Sequence, residues 1–159
     1  MKNITVWFLL VCSVFCFAVS GWAKDIKPYQ ASDFTLQDIN QDMFSLSALQ
    51  GKKPVLLFFW TTWCPFCQKE LQIMSDMYPK LYKDGLEVWS IDVGEMPDKV
   101  RDTVSSLHLS FRVLLDKDSA VSNSFKLIGV PTYVLVDQNG QVIFQDNFLP
   151  SDYKDRLGM

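Results

Sequence analysis

The sequence predicts a single α/β domain in which helices flank a mixed central sheet. Three observations carry that prediction. Residues 55–60 (VLLFFW) are an unbroken apolar run of strand length, the pattern of a strand covered on both faces. A helical stretch over 65–83 separates this run from a second strand pattern at 86–93 (LEVWSIDV), giving a strand–helix–strand unit with a parallel pair. Strand patterns at 132–136 and 142–144 flank Asn139-Gly140, a strong hairpin signal, so antiparallel strands join the same sheet.

In chain order, the first element is not part of the fold. Lys2 is the only charge before Lys24, and residues 4–19 are an uninterrupted, mostly apolar run. Gly21 and Ala23 stand at the −3 and −1 positions of a cut before Lys24, the pattern of a secretory signal. The competing reading is a retained membrane anchor, because uncharged residues 3–23 at ~1.5 Å each reach roughly 31 Å, enough to span a bilayer. Cleavage is favoured, and a lipid-modified Cys16 is disfavoured by bulky Phe15 before it. Each reading makes residues 24–159 an exported domain, periplasmic or otherwise extracytoplasmic. Loss of residues 1–23 removes Lys2 and takes the net charge from −3 to −4.

Residues 33–36 and 43–46 read as a short hairpin, followed by a helical turn from an N-cap Ser47 to a C-terminal Gly51. In the 65–83 helix, Leu71, Met74, Tyr78 and Leu81 recur at spacings of three and four and mark the buried stripe. Pro79 lies within that stripe and predicts a kink, and Gly85 ends the helix. Residues 97–108 and 118–127 read as helices around a short apolar segment at 113–115.

Composition narrows the function classes. A length of 159 residues suits one domain, and 48% apolar with 21% charged residues excludes global disorder. Seven Gly and seven Pro are too few for a collagenous or low-complexity chain. A weakly acidic balance without a basic run argues against a nucleic-acid surface. His108 is the only histidine, which excludes His-rich metal sites and any mechanism needing two. It lies near a helix end and reads as a surface or structural residue, while Trp60 and Trp89 read as core. Of the four cysteines, Cys12 and Cys16 fall in the leader, so the domain keeps Cys64 and Cys67. A bridge between them closes a four-residue loop, worth about 2 kcal/mol where a 100-residue loop gives nearly 5. As a staple it is weak, but as a reversible redox pair its position makes sense.

Cys64 falls where the 55–60 strand gives way to the helix. Pro65 suits the first helical position, where its missing N–H is an orphan anyway, so Cys64 is the N-cap and Cys67 the N3 residue. A sulfur at the N-cap can accept the N–H groups of Phe66 and Cys67 and meets the positive end of the helix dipole. Both effects favour a thiolate, so Cys64 is the expected nucleophile and the more buried Cys67 the resolving thiol. Inert buried thiols and half of a Cys₄ zinc site are the competing readings. The domain has no further Cys or second His to complete a zinc site.

The segment 59–67 (FWTTWCPFC) resembles the active site of the thioredoxin superfamily. The wider pattern is similar to the extracytoplasmic thiol-disulfide oxidoreductases of the TlpA/ResA-like family, of AhpC/TSA-redoxin type. The likeness runs from about Ala31 to Pro150 through FTLQD, SALQGK, IDVGE and GVPTYVLVDQNG. It implies a thioredoxin fold with an N-terminal hairpin extension and an insert after the second core strand, matching the element order above. It also implies a redox-active disulfide between Cys64 and Cys67, and no bound cofactor or metal. A cis peptide bond at Val130-Pro131 would leave the Val130 backbone free to pair with an extended substrate. Glu95 matches a glutamate of the reductase subgroup, where a partly buried carboxyl of raised pKa would move protons for the cysteines. Cytosolic thioredoxins carry a buried Asp six residues before the first Cys, whereas this chain has Phe58 there. Trp63 and Phe66 are expected to form an apolar docking face beside Cys64.

The function so implied is exchange of disulfides with extracytoplasmic proteins, as a reductase, with apocytochrome c among the substrate candidates. A membrane thiol donor would recharge a monomeric enzyme. Pro65-Phe66 differs from the Glu-Pro and Val-Pro pairs of reductases in this family, which leaves the direction of electron flow to the reduction potential. Two alternatives remain. A thiol peroxidase is suggested by Thr61, three residues before Cys64 as in peroxiredoxins, although Leu57 replaces their proline. A Cu(I) chaperone would use Cys64 and Cys67 as soft ligands, although His108 fits no ligand motif. Rapid peroxide turnover would mark the first, and tight stoichiometric Cu(I) binding without reductase activity the second.

Overall fold

The computed structural model describes residues 26–159, so the leader or anchor expected at residues 1–23 lies outside the described residues. One eight-stranded mixed sheet runs through the molecule. Its strands are β1 (Tyr29–Gln30), β2 (Thr35–Asp38), β3 (Met43–Ser45), β4 (Val55–Trp60), β5 (Glu87–Val93), β6 (Arg112–Asp116), β7 (Thr132–Val136) and β8 (Gln141–Asp146). Their spatial order is β1-β8-β7-β4-β5-β6-β2-β3. β4, β5 and β6 are parallel neighbours, and β7 and β8 extend the sheet antiparallel on the other side of β4. The hairpin β2–β3 caps the far edge by pairing antiparallel with β6.

All six residues of β4 are buried because apolar layers cover both faces. On one face Leu56, Phe58 and Trp60 pack against α1 (Pro65–Lys83) and α2 (Pro97–Leu107) through Leu71, Met74, Leu81, Val100 and Val104. On the other, Val55, Leu57 and Phe59 meet Phe34, Trp89, Val121 and Phe125. A fully buried Leu or Phe contributes about 1.5–3 kcal/mol, so β4 is the hydrophobic spine. Trp60 and Trp89 are buried, as the sequence predicts. His108 is exposed and closes α2 in a left-handed conformation.

Four elements depart from expectation. The turn after β3 is a 3₁₀ turn over Leu46–Leu49 with Ser45, not Ser47, in the N-cap position. Its stability comes from outside, since the Asp33 carboxylate accepts the Ser47 N–H at 2.9 Å. The helix expected over 118–127 is only α3 (Ala120–Ser124), because Lys126 adopts φ 53° and turns the chain away. β1 and the C-terminal α4 (Tyr153–Leu157) carry no periodic signal of their own. β1 exists only by pairing with β8, and α4 docks through buried Tyr153, whose hydroxyl donates to Asp84 at 2.8 Å.

Candidate active site

The site forms where β4 ends and α1 begins. Cys64 is the N-cap of this 19-residue helix and Pro65 occupies its first turn. The backbone N–H of Cys67 donates to Cys64 Sγ at 3.2 Å, one of the two donors the sequence suggested; Phe66 N–H does not reach it. The two cysteines form a disulfide with Cα atoms 5.2 Å apart. Cys67 is fully buried, while Cys64 retains a sliver of exposure toward solvent.

A second segment comes close from far along the chain. The Val130–Pro131 peptide bond is cis, as the resemblance implies, and the Val130 carbonyl oxygen lies 3.9 Å from Cys64 Sγ. In the disulfide that sulfur has no proton, so the approach is a contact; a Cys64 thiol could donate across it. Trp63 and Phe66 flank Cys64 and are 67% and 76% exposed. Met96 and Ile128, exposed apolar residues the sequence did not single out, stand next to Glu95 and two residues before Val130.

Glu95 is brought to the site, but not in the protonation state expected of it. Gly94 (φ +76°) ends β5 in a conformation that strains any other residue, and an added Cβ would lie 3.0 Å from Ser119 Oγ. The turn aims Glu95 at the loop before Cys64. Its carboxylate accepts the backbone N–H of Thr62, the Thr62 hydroxyl at 2.7 Å and the Lys99 ammonium at 2.6 Å. Burial alone would raise the Glu95 carboxyl, but the bonds from Lys99 and Thr62 outweigh it and hold the group below its ordinary pKa. Glu95 is therefore an ionised clamp on the active-site loop rather than a carboxyl of raised pKa. Gln68 tightens the same loop by donating to the Thr62 carbonyl at 2.7 Å.

The carboxyl of raised pKa is Asp92, two residues back on β5. It is fully buried, no side-chain donor reaches it, and the backbone N–H of Glu95 offsets its burial only in part. Burial, with the neighbouring Glu95 carboxylate, pushes its pKa up to about 8. Two carboxyls can bond to one another only if one keeps a proton, and Asp92, the raised member, is the one that keeps it. A signal for Asp92 was present in the sequence: apart from Glu87 at the strand's start, it is the one charge in a strand pattern apolar enough to be covered on both faces. Another linked pair lies on the same sheet face, where the Tyr133 hydroxyl donates to Glu70 at 2.6 Å and its pKa is raised by burial. Among the described residues no cluster of three or more His, Cys, Asp or Glu side chains is arranged to hold a metal ion.

Against known proteins, the AhpC/TSA family profile matches residues 29–145. The chain belongs to the AhpC/TSA family. It is 35% identical over 142 residues to the thiol-disulfide oxidoreductase ResA of Bacillus subtilis (strain 168), covering 87% of this chain and 79% of that one. ResA of Bacillus thuringiensis subsp. konkukian (strain 97-27) is 34% identical over 151 residues, with coverages of 89% and 87%. The crystal structure of a secreted Mycobacterium tuberculosis disulfide oxidoreductase homologous to E. coli DsbE superimposes with a TM-score of 0.66 at 25% identity, over 79% of this chain and 94% of that one. A thiol:disulfide interchange protein from Bacteroides sp., 20% identical, shares the fold at a TM-score of 0.71 over 84% and 91%. The fold is thus thioredoxin-like and the chain is a thiol-disulfide oxidoreductase of TlpA/ResA-like type.

Proposed function

We propose that this oxidoreductase reduces disulfides of extracytoplasmic proteins, with Cys64 as the attacking sulfur and Cys67 as the resolving one. The observation that carries the division of labour is the Cys67 N–H held on Cys64 Sγ at the head of α1. That donor and the helix N-terminus stabilise negative charge on Cys64, which makes it the better nucleophile at neutral pH.

In the reduced enzyme, the Cys64 thiolate attacks one sulfur of a substrate disulfide. The substrate S–S bond breaks, its other sulfur leaves as a thiolate and takes up a proton, and a mixed disulfide forms at Cys64. Cys67, after losing its proton, then attacks Cys64 Sγ. The mixed disulfide breaks, the second substrate sulfur is released, and the Cys64–Cys67 disulfide holds the two-electron oxidation. A membrane dithiol on the same side would return the electrons, and residues 1–23 would deliver or tether the domain there. Exposed Trp63 and Phe66 offer apolar contact to the substrate chain, and the Val130-Pro131 backbone offers it hydrogen bonds. Apocytochrome c, with its paired cysteines, is the substrate class that the resemblance favours.

The test is trapping combined with a redox titration. Cys67→Ser should accumulate mixed disulfides with extracytoplasmic proteins and Cys64→Ser should trap none. A wild-type potential nearer −270 than −120 mV, roughly the two ends of the known range, supports the reductase direction. Faster alkylation of Cys67 than of Cys64 in the reduced domain would reverse the assignment.

A further inference from the structure

Asp92 stands at the C-terminal end of β5, in register with Trp60 of β4 and Leu115 of β6. Side chains alternate along a strand. Trp89 and Ile91 pack on the Phe34 face, so Asp92 shares the opposite face with Val88, the face that holds Cys64, Cys67 and Trp60. The charged and titratable groups around it are few. The β5–α2 loop supplies Glu95 and α2 supplies Lys99, whereas Asp98 and Arg101 of that helix pair with each other. α1 supplies Cys64 and Cys67 on this face, with Glu70 already bonded to Tyr133 of β7. Asp116 of β6 accepts the N–H groups of Val121 and Ser122 of α3, away from Asp92. β4 contributes only Trp60 at this level.

We propose that Asp92 is a positioning residue for disulfide exchange: while protonated it shares its proton with Glu95, keeps that carboxylate on Thr62 and so fixes the loop that carries Cys64. The chain of contacts is short. Asp92 faces Glu95, Glu95 accepts both the N–H and the hydroxyl of Thr62, and Thr62 is two residues before Cys64. When the Asp92 proton passes to solvent, a second negative charge appears in a dry site where no side-chain donor meets it and only the Glu95 backbone N–H faces it. Two facing carboxylates repel, and Glu95 is the mobile member because Asp92 is held in the sheet. Displacing Glu95 releases Thr62 and loosens the Cys64 loop. Asp92 therefore makes the positioning of Cys64 pH-dependent on the alkaline side, where its raised pKa of about 8 places the transition.

The inference rests on Glu95 and Thr62 belonging to the redox site, and it is tested in the oxidised protein, where neither cysteine titrates, so it does not depend on which of them attacks. The measurement is the Thr62 backbone amide resonance of the full domain followed from pH 5 to 9.5, together with the side-chain carboxyl carbon of Asp92. Both should titrate with one shared midpoint far above the ordinary carboxylate range, and Asp92→Asn should abolish the Thr62 transition. In the reduced protein, the wild-type exchange rate relative to Asp92→Asn should fall by about tenfold from pH 7 to pH 9, the scale of a modest misplacement of a reacting group. A Thr62 resonance that does not move, or that moves identically in Asp92→Asn, overturns the proposal. If the variant does not fold, the wild-type Asp92 carbon decides, and a midpoint near 4 overturns it equally.

Discussion

Asp92 and Asp116 are two fully buried carboxyls on adjacent strands, one step apart, since Asp92 registers with Leu115 and Val93 with Asp116. Their surroundings differ completely. Asp116 points to the α3 face, where the N–H groups of Val121 and Ser122 converge on it at 3.1 and 2.8 Å. Asp92 points to the α1 face, where it meets the Glu95 carboxylate and a single backbone N–H, that of Glu95. Burial is the same, so burial does not decide what a carboxyl does. Donors and neighbouring charge do: where two backbone N–H groups converge, the side chain ties a helix to the sheet, and where a single backbone N–H is outweighed by burial and a facing carboxylate, the group keeps its proton and becomes responsive to pH.

The largest test of this contrast is the stability of Asp92→Asn. The folded-state pKa of Asp92 is raised, so between about pH 4 and pH 8 the folded protein holds a proton that the unfolded chain has released. Folded-state stability from this group is fully present below pH 4 and is lost as pH rises toward 8. Asn does not titrate and escapes that loss. Chemical denaturation should show Asp92→Asn more stable than wild type at pH 7 by up to about 4 kcal/mol, three pH units at 1.36 each, with the gain shrinking to nothing near pH 4. A gain independent of pH would break the contrast.

Asp116→Ala should do the opposite. It leaves two buried N–H groups of α3 without an acceptor, a loss of about 2–3 kcal/mol in the same denaturation experiment. The shape of the exchange pH profile should not change. An altered profile would mean that Asp116 also reaches the redox site.

The smallest expected effect sharpens the link between Asp92 and Cys64. Thr62→Val keeps the backbone N–H on Glu95 and removes only the hydroxyl bond of 2.7 Å. Exchange at pH 7 should fall by a few-fold, consistent with about 1 kcal/mol for one hydrogen bond, measured with a model disulfide. No change in rate would place the hold on the loop entirely in the backbone.

Several of these features were legible in the sequence and others were not, for identifiable reasons. The bounds of β4 and α1 match expectation because a doubly covered strand and a Pro-initiated helix are local patterns. The expected 118–127 helix failed because Phe125 and Leu127 look periodic, yet the chain leaves the helix at Phe125 and turns through Lys126 toward the segment that reaches Cys64. β1 has two residues and no pattern, and only the edge of β8 gives it a partner. For Glu95, Lys99 four residues on was visible as a helical neighbour, but Thr62 lies 33 residues earlier in the chain. The lowered Glu95 pKa comes from Lys99 and then from that distant donor acting together, whereas a raised value was expected at Glu95 and occurs at Asp92.

By itself the sequence determined the order of the core strands and helices from β2 to β8 and a dithiol placed as cap and third residue of one helix. These follow from periodicity, composition and first-turn stereochemistry, which act over a few residues. Only the tertiary structure decided that Val130, 66 residues from Cys64, lies against its sulfur, that Glu95 is held below its ordinary pKa, and that Asp92 is buried against the Glu95 carboxylate. Electrostatic state is set by which dipoles and charges surround a group in a water-poor interior, and here those neighbours come from strands and loops far apart in the chain.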